Sequence, residues 1–168
     1  MNKLTTLAIC IALPLTTAGY ASLSRAANVT SNVLVTATVI ESCGLAATPL
    51  AFGNYNSLAG ATLDAAAMII PVCSVGTNYS VALNAGLGNG ASMVTRKLTG
   101  PNGAVLDYGV YSDYARTTAW GDGSGGTTYN VSTGNGQPQS LSIYGRIPAS
   151  QAVQVGAYSD TITVTLTY

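Results

Sequence analysis

Few residues in this chain are equipped for catalysis, and the commonest general base is missing altogether: none of the 168 residues is histidine. That removes the side chain that most often moves protons near neutral pH and most often binds metals. Nucleophile arrangements that lean on an imidazole, Ser/His/Asp or Cys/His, are therefore excluded. Asp107 and Asp113 are near enough in sequence to be weighed as the carboxylate pair of a glycosidase. The plainer reading, solvated acids at a strand end and a turn, is preferred. Asp122, within Gly121-Asp122-Gly123-Ser124-Gly125-Gly126, has the surroundings of a calcium loop but stands alone, so a turn is expected there. Trp120 and the 10 tyrosines suit sugar stacking, but cross-strand packing is the commoner use of such residues. No residue is assigned to catalysis, to a cofactor or to a metal.

The reactive groups that do form a pattern are thiols. Cys10 sits in a stretch laid out as a secretion signal: Lys3, an apolar run over residues 4–15, then small residues. Cleavage after Ala26 (Ser24-Arg25-Ala26) or after Ala21 (Gly19-Tyr20-Ala21) fits the small-x-small rule, and Ala26 is favoured. Pro14, Thr16 and Thr17 interrupt the run, which falls short of the roughly 20 residues of a spanning helix. The mature chain is thus expected to be exported and soluble. It keeps Cys43 and Cys73, and an even pair in an exported chain reads as a disulfide. Closing a loop of about 30 residues is worth roughly 3.6 kcal/mol in the chain-entropy picture.

Without residues 1–26, Arg96, Lys97, Arg116 and Arg146 face Glu41, Asp64, Asp107, Asp113, Asp122 and Asp160, a net of about −2. Too little positive charge is left to hold phosphates, so no nucleic acid is expected as a partner. The remaining length suits one domain. Few charges, many Gly, Thr, Ser, Asn and Val, and little helix-forming sequence point to an all-β fold. Strands are expected over 66–73, 78–83, 93–98, 105–111 and 139–147, with a short apolar run at 50–53. Residues 41–49 read as a turn region, and Pro101-Asn102-Gly103 and Gly134-Asn135-Gly136 as tight turns. Pro71 cannot donate to a ladder, which predicts an edge strand or a bulge there. Short strands separated by turn signals favour a sandwich.

Both ends of the mature chain are β-like. Residues 32–40 place Val33, Val35, Ala37 and Val39 on one face, with Val29 and Ser31 in the same register, and Leu34, Thr36, Thr38 and Ile40 on the other. Residues 159–168 alternate strictly, with Ile162, Val164, Leu166 and Tyr168 opposite four threonines. An alternating apolar edge of this kind is a template for pairing with another chain, so assembly is the first functional expectation.

Together these features resemble the spore coat protein U family, which includes the pilins of archaic chaperone–usher pili. The resemblance spans the mature chain. It rests on the opening strand followed by Cys43, on Ile69-Ile70-Pro71-Val72-Cys73, and on Leu106-Asp107-Tyr108-Gly109-Val110-Tyr111-Ser112-Asp113 with Ala115-Arg116-Thr117. The closing part, Tyr144-Gly145-Arg146-Ile147-Pro148 through Gly156-Ala157-Tyr158-Ser159-Asp160 to Tyr168, is the most specific. The resemblance implies an incomplete immunoglobulin-like sandwich, completed by a donor strand from another chain. It implies a signal peptide at 1–26, a donor strand at 27–40 and a pilin domain at 41–168. Val29, Val33, Val35, Ala37 and Val39 would be the donor plugs, Ala37 contributing least. Ile162, Val164, Leu166 and Tyr168 would line the acceptor groove. The partners implied are neighbouring pilin subunits, a periplasmic chaperone and an outer-membrane usher. The function implied is a surface pilus that supports adhesion and biofilm formation. The contrasting reading is a monomeric secreted binding module or coat component; a hydrolase is remote.

Overall fold

A computed structural model describes residues 26–168, so the expected secretion signal lies outside the described residues except for Ala26. Among the described residues there is no α-helix and no helix long and apolar enough to cross a membrane. Residues 38–168 form an all-β sandwich. Its strands are β1 (Cys43–Ala47), β2 (Leu63–Cys73), β3 (Asn78–Leu83), β4 (Arg96–Thr99), β5 (Val105–Tyr111), β6 (Asn130–Thr133), β7 (Leu141–Ile147) and β8 (Val164–Thr167). One sheet has the order β1-β2-β7-β5-β4 and the other β6-β3-β8, with antiparallel pairing throughout both.

The core lies between the sheets and follows strand periodicity. Tyr79, Val81 and Leu83 of β3 face Ala67 and Ile69 of β2, Leu106, Tyr108 and Val110 of β5, and Ile143 and Ile147 of β7. Trp120 is almost fully buried and donates its indole N–H to the Val81 carbonyl at 3.1 Å, so its ring closes the core rather than offering a sugar platform. The residues around it join the layers: Trp120 N–H donates to Val110 O, and Leu83 N–H donates to Gly121 O.

The cysteines form the expected disulfide. Cys43 and Cys73 face each other across the β1–β2 ladder, with Cα atoms 4.1 Å apart. This staple, with the β1–β2 pairing, accounts for a strand where the sequence suggests a turn. Gly44, Ala46 and Ala47 have little strand preference of their own, and tertiary pairing overrides it.

Pro71 departs from expectation. β2 lies between β1 and β7, and its register with β1 is continuous from Cys43↔Cys73 to Ala47↔Ile69, so there is neither an edge nor a bulge. The even-numbered residues of β2 bond to β1, as Met68 and Ser74 do with Thr48 and Ser42. The Pro71 nitrogen therefore points to the β7 side, beyond the last β2–β7 pair, Ile69↔Leu141. Only its carbonyl is used, accepting from Gln139 N–H at 2.9 Å.

Arg96 is the buried ion of the sandwich and is completely enclosed. Its guanidinium donates to the carbonyls of Asn84 (2.9 Å), Met93 (2.8 Å) and Trp120 (2.8 Å). Burial lowers its pKa, against the raising influence of Tyr108 and Asp160. The pull on Met93 O, with the Ser92–Thr95 turn, explains why β4 starts at Arg96 rather than at residue 93. Replacing Arg96 by Met strands three buried carbonyls at once. We expect Arg96→Met to lower unfolding stability by about 3–5 kcal/mol, read as a fall in the urea midpoint.

Candidate functional site

Among the described residues, the smaller sheet ends on β8, and β8 has a neighbour on one side only, β3. Thr163 exchanges hydrogen bonds with Asn84 on the β3 side: its carbonyl accepts from Asn84 N–H at 3.1 Å, and its N–H donates to Asn84 Oδ1 at 2.9 Å. Strand geometry then aims the N–H and C=O of Ile162, Val164 and Leu166 at the opposite, unpaired side. Beside that edge lies an apolar groove. A cleft of about 270 Å³ runs between 47–52 on one lip and 160–164 on the other, floored by Ile69, Leu83, Tyr108 and Ile143. It continues into a broader cleft of about 750 Å³ between 50–57 and 153–160, the two sharing Leu50, Phe52, Leu98 and Asp160.

The expected acceptor residues fall partly on this site. Ile162 and Val164 line the narrower cleft and, with Leu166, are half-buried against the core, while Thr161, Thr163, Thr165 and Thr167 point outward. Tyr168 follows the last paired residue and is 59% exposed, outside both clefts. The closing segment is not one straight strand from residue 159. Ser159 bridges Thr99 of the larger sheet, and from Thr163 onward the chain pairs with β3 of the other. The corner between them is held by Asp160, whose carboxylate accepts from Leu87 N–H (2.7 Å), Thr161 N–H (2.7 Å) and Tyr108 Oη (2.6 Å). Burial and that last bond raise the Tyr108 pKa above its ordinary value.

The opposite lip was not foreseen. Leu50 and Phe52 turn inward from a segment without strand pairing, and Phe52 meets Tyr108 edge-on with ring centroids 5.9 Å apart. Gly145 makes room for them, since a Cβ there would lie 2.6 Å from the Phe52 ring. The alternation of Leu50 and Phe52 about Ala51 was the available signal. The expected donor residues Val29, Val33, Val35, Ala37 and Val39 are all exposed, Val33 and Val35 at 85% and Val39 at 92%. Residues 32–40 carry no secondary structure, where the sequence suggests a strand; among the described residues nothing pairs with their backbone.

The aspartates are engaged in local structure. Lys97 Nζ donates to Asp107 at 2.6 Å. Asp64 holds Arg146 through two bonds of 2.7 and 2.8 Å, the main reason that its pKa is lowered. Asp122 accepts from Ser124 N–H in the expected turn. Asp113 accepts from the Thr117 and Thr118 N–H groups and the Thr117 hydroxyl, closing the 113–118 turn. Among the described residues, no cluster of Cys, Asp and Glu could hold a metal ion.

Comparison with known proteins identifies the family. The model of the Spore Coat Protein U domain matches residues 29–165. The chain belongs to that family. The chain is also similar to Protein U of Myxococcus xanthus, with 30% identity in an alignment 159 positions long that covers 86% of this chain and 88% of the relative. Among solved structures, the fold matches a chain of the chaperone–tip adhesion subunit pre-assembly complex from archaic chaperone–usher Csu pili of Acinetobacter baumannii. That match has a TM-score of 0.60 at 23% identity and covers 78% of this chain but 41% of the other. This chain therefore shares its fold with part of one chain of that complex, spanning less than half of that chain's length.

The Asp113 turn gives a pH signature for this member of the family. Hydrogen bonds from Thr117 and Thr118 lower the Asp113 pKa from 3.8 to about 2. The folded pKa is depressed, so its contribution is present above about 3.8 and is lost as pH falls towards about 2. The wild-type advantage in urea midpoint over Asp113→Asn should accordingly shrink across that window and vanish below it.

Proposed function

We propose that the chain is a structural subunit of a surface pilus, exported through the periplasm and assembled by the chaperone–usher route through donor-strand exchange. The observation that carries this reading is the unpaired edge of β8 beside an apolar groove that the described strands leave open. Residues 27–40 act as the donor strand and 41–168 as the acceptor domain. The exposed Val29, Val33, Val35, Ala37 and Val39 enter the groove of a neighbouring subunit, where Ile162, Val164 and Leu166 offer both apolar contact and free backbone groups. Tyr168 caps the far end. Fully burying a valine is worth about 1.5 kcal/mol or more, so several plugs together supply a substantial part of the association energy.

A periplasmic chaperone fills the groove first and an outer-membrane usher releases the subunit into the fibre. The likeness to a chaperone–subunit complex supports the first of these partners. Adhesion and biofilm formation are the roles such a fibre would serve, with no catalytic step and no cofactor. The family's coat description supports a second reading, a secreted coat component, which would leave the chain monomeric.

Deleting residues 27–40 separates these readings. With the chaperone present, the truncated chain should form no fibres in electron micrographs while still binding a synthetic 27–40 peptide. A peptide with Val35→Asp should bind about 10–100-fold more weakly by fluorescence anisotropy. Normal fibres from the truncated chain would sink the donor-strand scheme, and a stable monomer of the full chain without chaperone would favour the coat component.

A further inference from the structure

The sandwich formed by residues 38–168 has two opposite ends, and each carries bare aliphatic side chains. β1 starts at the disulfide, where Ser74 N–H donates to Ser42 O and Gly76 N–H donates to Gly134 O. Between those two bonds the β2–β3 turn lifts Val75 into solvent, 79% exposed. The other end is the mouth of the broad cleft. There Leu58 is 93% and Val155 is 97% exposed. Val155 stands on a loop that is held in place: Tyr158 Oη donates to Gln154 O at 2.7 Å, and Asn102 Nδ2 donates to Gln154 Oε1 at 3.3 Å. Turn tips ordinarily carry Gly, Asn, Asp or Ser, so aliphatic residues at these positions are out of keeping with turn chemistry alone.

Donor insertion brings these two ends together. Every strand pair in both sheets is antiparallel, so a strand added to β8 in the same manner runs against it. Its C-terminal end then emerges where the closing segment begins, beside Asp160 and the broad cleft. Val39 is the last plug, and Cys43 of the donor subunit follows 4 residues later. A fully extended chain of that length spans at most about 14 Å. The disulfide end of one subunit is thereby held close to the cleft mouth of the next.

We propose that consecutive subunits make a second, end-to-end contact, the Val75 turn of one copy packing on the Leu58 and Val155 loops of the next. The proposal rests on the donor-strand reading and adds to it a contact outside the groove. The occupant is a second copy of this chain. Residues 74–77, 56–62 and 153–158 contain no charged side chain, so the contact desolvates no ion. It joins two different patches, head to tail, and therefore propagates along a fibre instead of closing a dimer. Weak affinity is sufficient, because the tether holds the patches at an effective concentration on the order of millimolar.

The test uses the full chain assembled with its chaperone and with the photo-reactive amino acid benzoylphenylalanine placed at Val75. Illumination of fibres should link subunits, and mass spectrometry should map the linkage to residues 53–62 or 150–158 of the neighbour. The reciprocal placement at Val155 should return linkages to 74–77. Val75→Asp should leave fibres forming but shorten their persistence length about twofold or more, because only the tether remains to stiffen the joint. Fibres without linkage, or with linkage mapping elsewhere, would overturn the end-to-end contact while leaving donor-strand exchange intact. Failure of the unmodified chain to form fibres would overturn donor-strand exchange and this contact with it.

Discussion

The unpaired edge of β8 is the constraint around which the rest of the domain is arranged. Backbone N–H and C=O groups need partners when water is withdrawn, and Ile162, Val164 and Leu166 aim theirs away from β3 beside an apolar groove. Edge strands of monomers are usually blunted by lysine, proline, a bulge or shortness. Among the other edge strands, β4 carries Lys97, and β1 is stapled to its neighbour β2 by the Cys43–Cys73 disulfide. The closing segment from Thr161 to Tyr168 has no charge, proline or glycine to protect it. Its outward face is threonine throughout, soluble but still competent to pair.

Holding such an edge ready requires rigid lips. The Asp160 carboxylate fixes the corner where the closing segment crosses between sheets, and Tyr108 ties that corner to the groove floor. Arg96 gathers the Asn84, Met93 and Trp120 carbonyls behind it. On the other lip, Phe52 rests against Tyr108 in the space left by Gly145. A groove held in shape before its ligand arrives spends less of the association energy on ordering. The buried arginine is tied to the closing segment through Asn84, whose carbonyl it holds and whose N–H and Oδ1 bond Thr163.

Much of the fold was legible because strand periodicity is written in short runs of Val, Ile, Tyr and Leu. β3 and β5 occupy the expected residues, and the alternation of Ile162, Val164 and Leu166 against threonine is as the sequence suggests. β1 was not legible, since its alanines and glycine form a strand only when paired with β2 and stapled through Cys43. β6 was missed for a similar reason: its 4 residues are polar or half-exposed and take their conformation from β3. Pro71 misled because proline rules concern the side to which the missing N–H points, which depends on where the β2–β7 ladder stops. Half of the groove, the Leu50–Phe52 lip, was hidden because it makes no ladder, and only tertiary packing turns it inward.

Topology also bears on why the donor segment would serve a neighbour and not its own domain. β8 runs from the broad cleft towards the disulfide end, where Thr167 pairs with Ser80 near the start of β3. The chain enters β1 at that same disulfide end, through Cys43. A segment folding back into its own groove would therefore run parallel to β8, a pairing slightly weaker per residue and foreign to these sheets. It would also have to reverse within Glu41-Ser42, a dipeptide lacking the Gly, Asn or Asp of tight hairpin turns. Ser42 is in any case committed to extending β1, its carbonyl accepting from Ser74 N–H at 2.9 Å and its N–H donating to Ser74 Oγ at 3.1 Å. On the proposed donor-strand reading, insertion into a second copy would meet neither obstacle, since the strand would enter antiparallel and need no reversal. The disulfide and the two serines beside it thus do more than close a loop: they fix the end of the sandwich at which the chain enters β1, which on the proposed donor-strand reading would favour a partner over the chain itself.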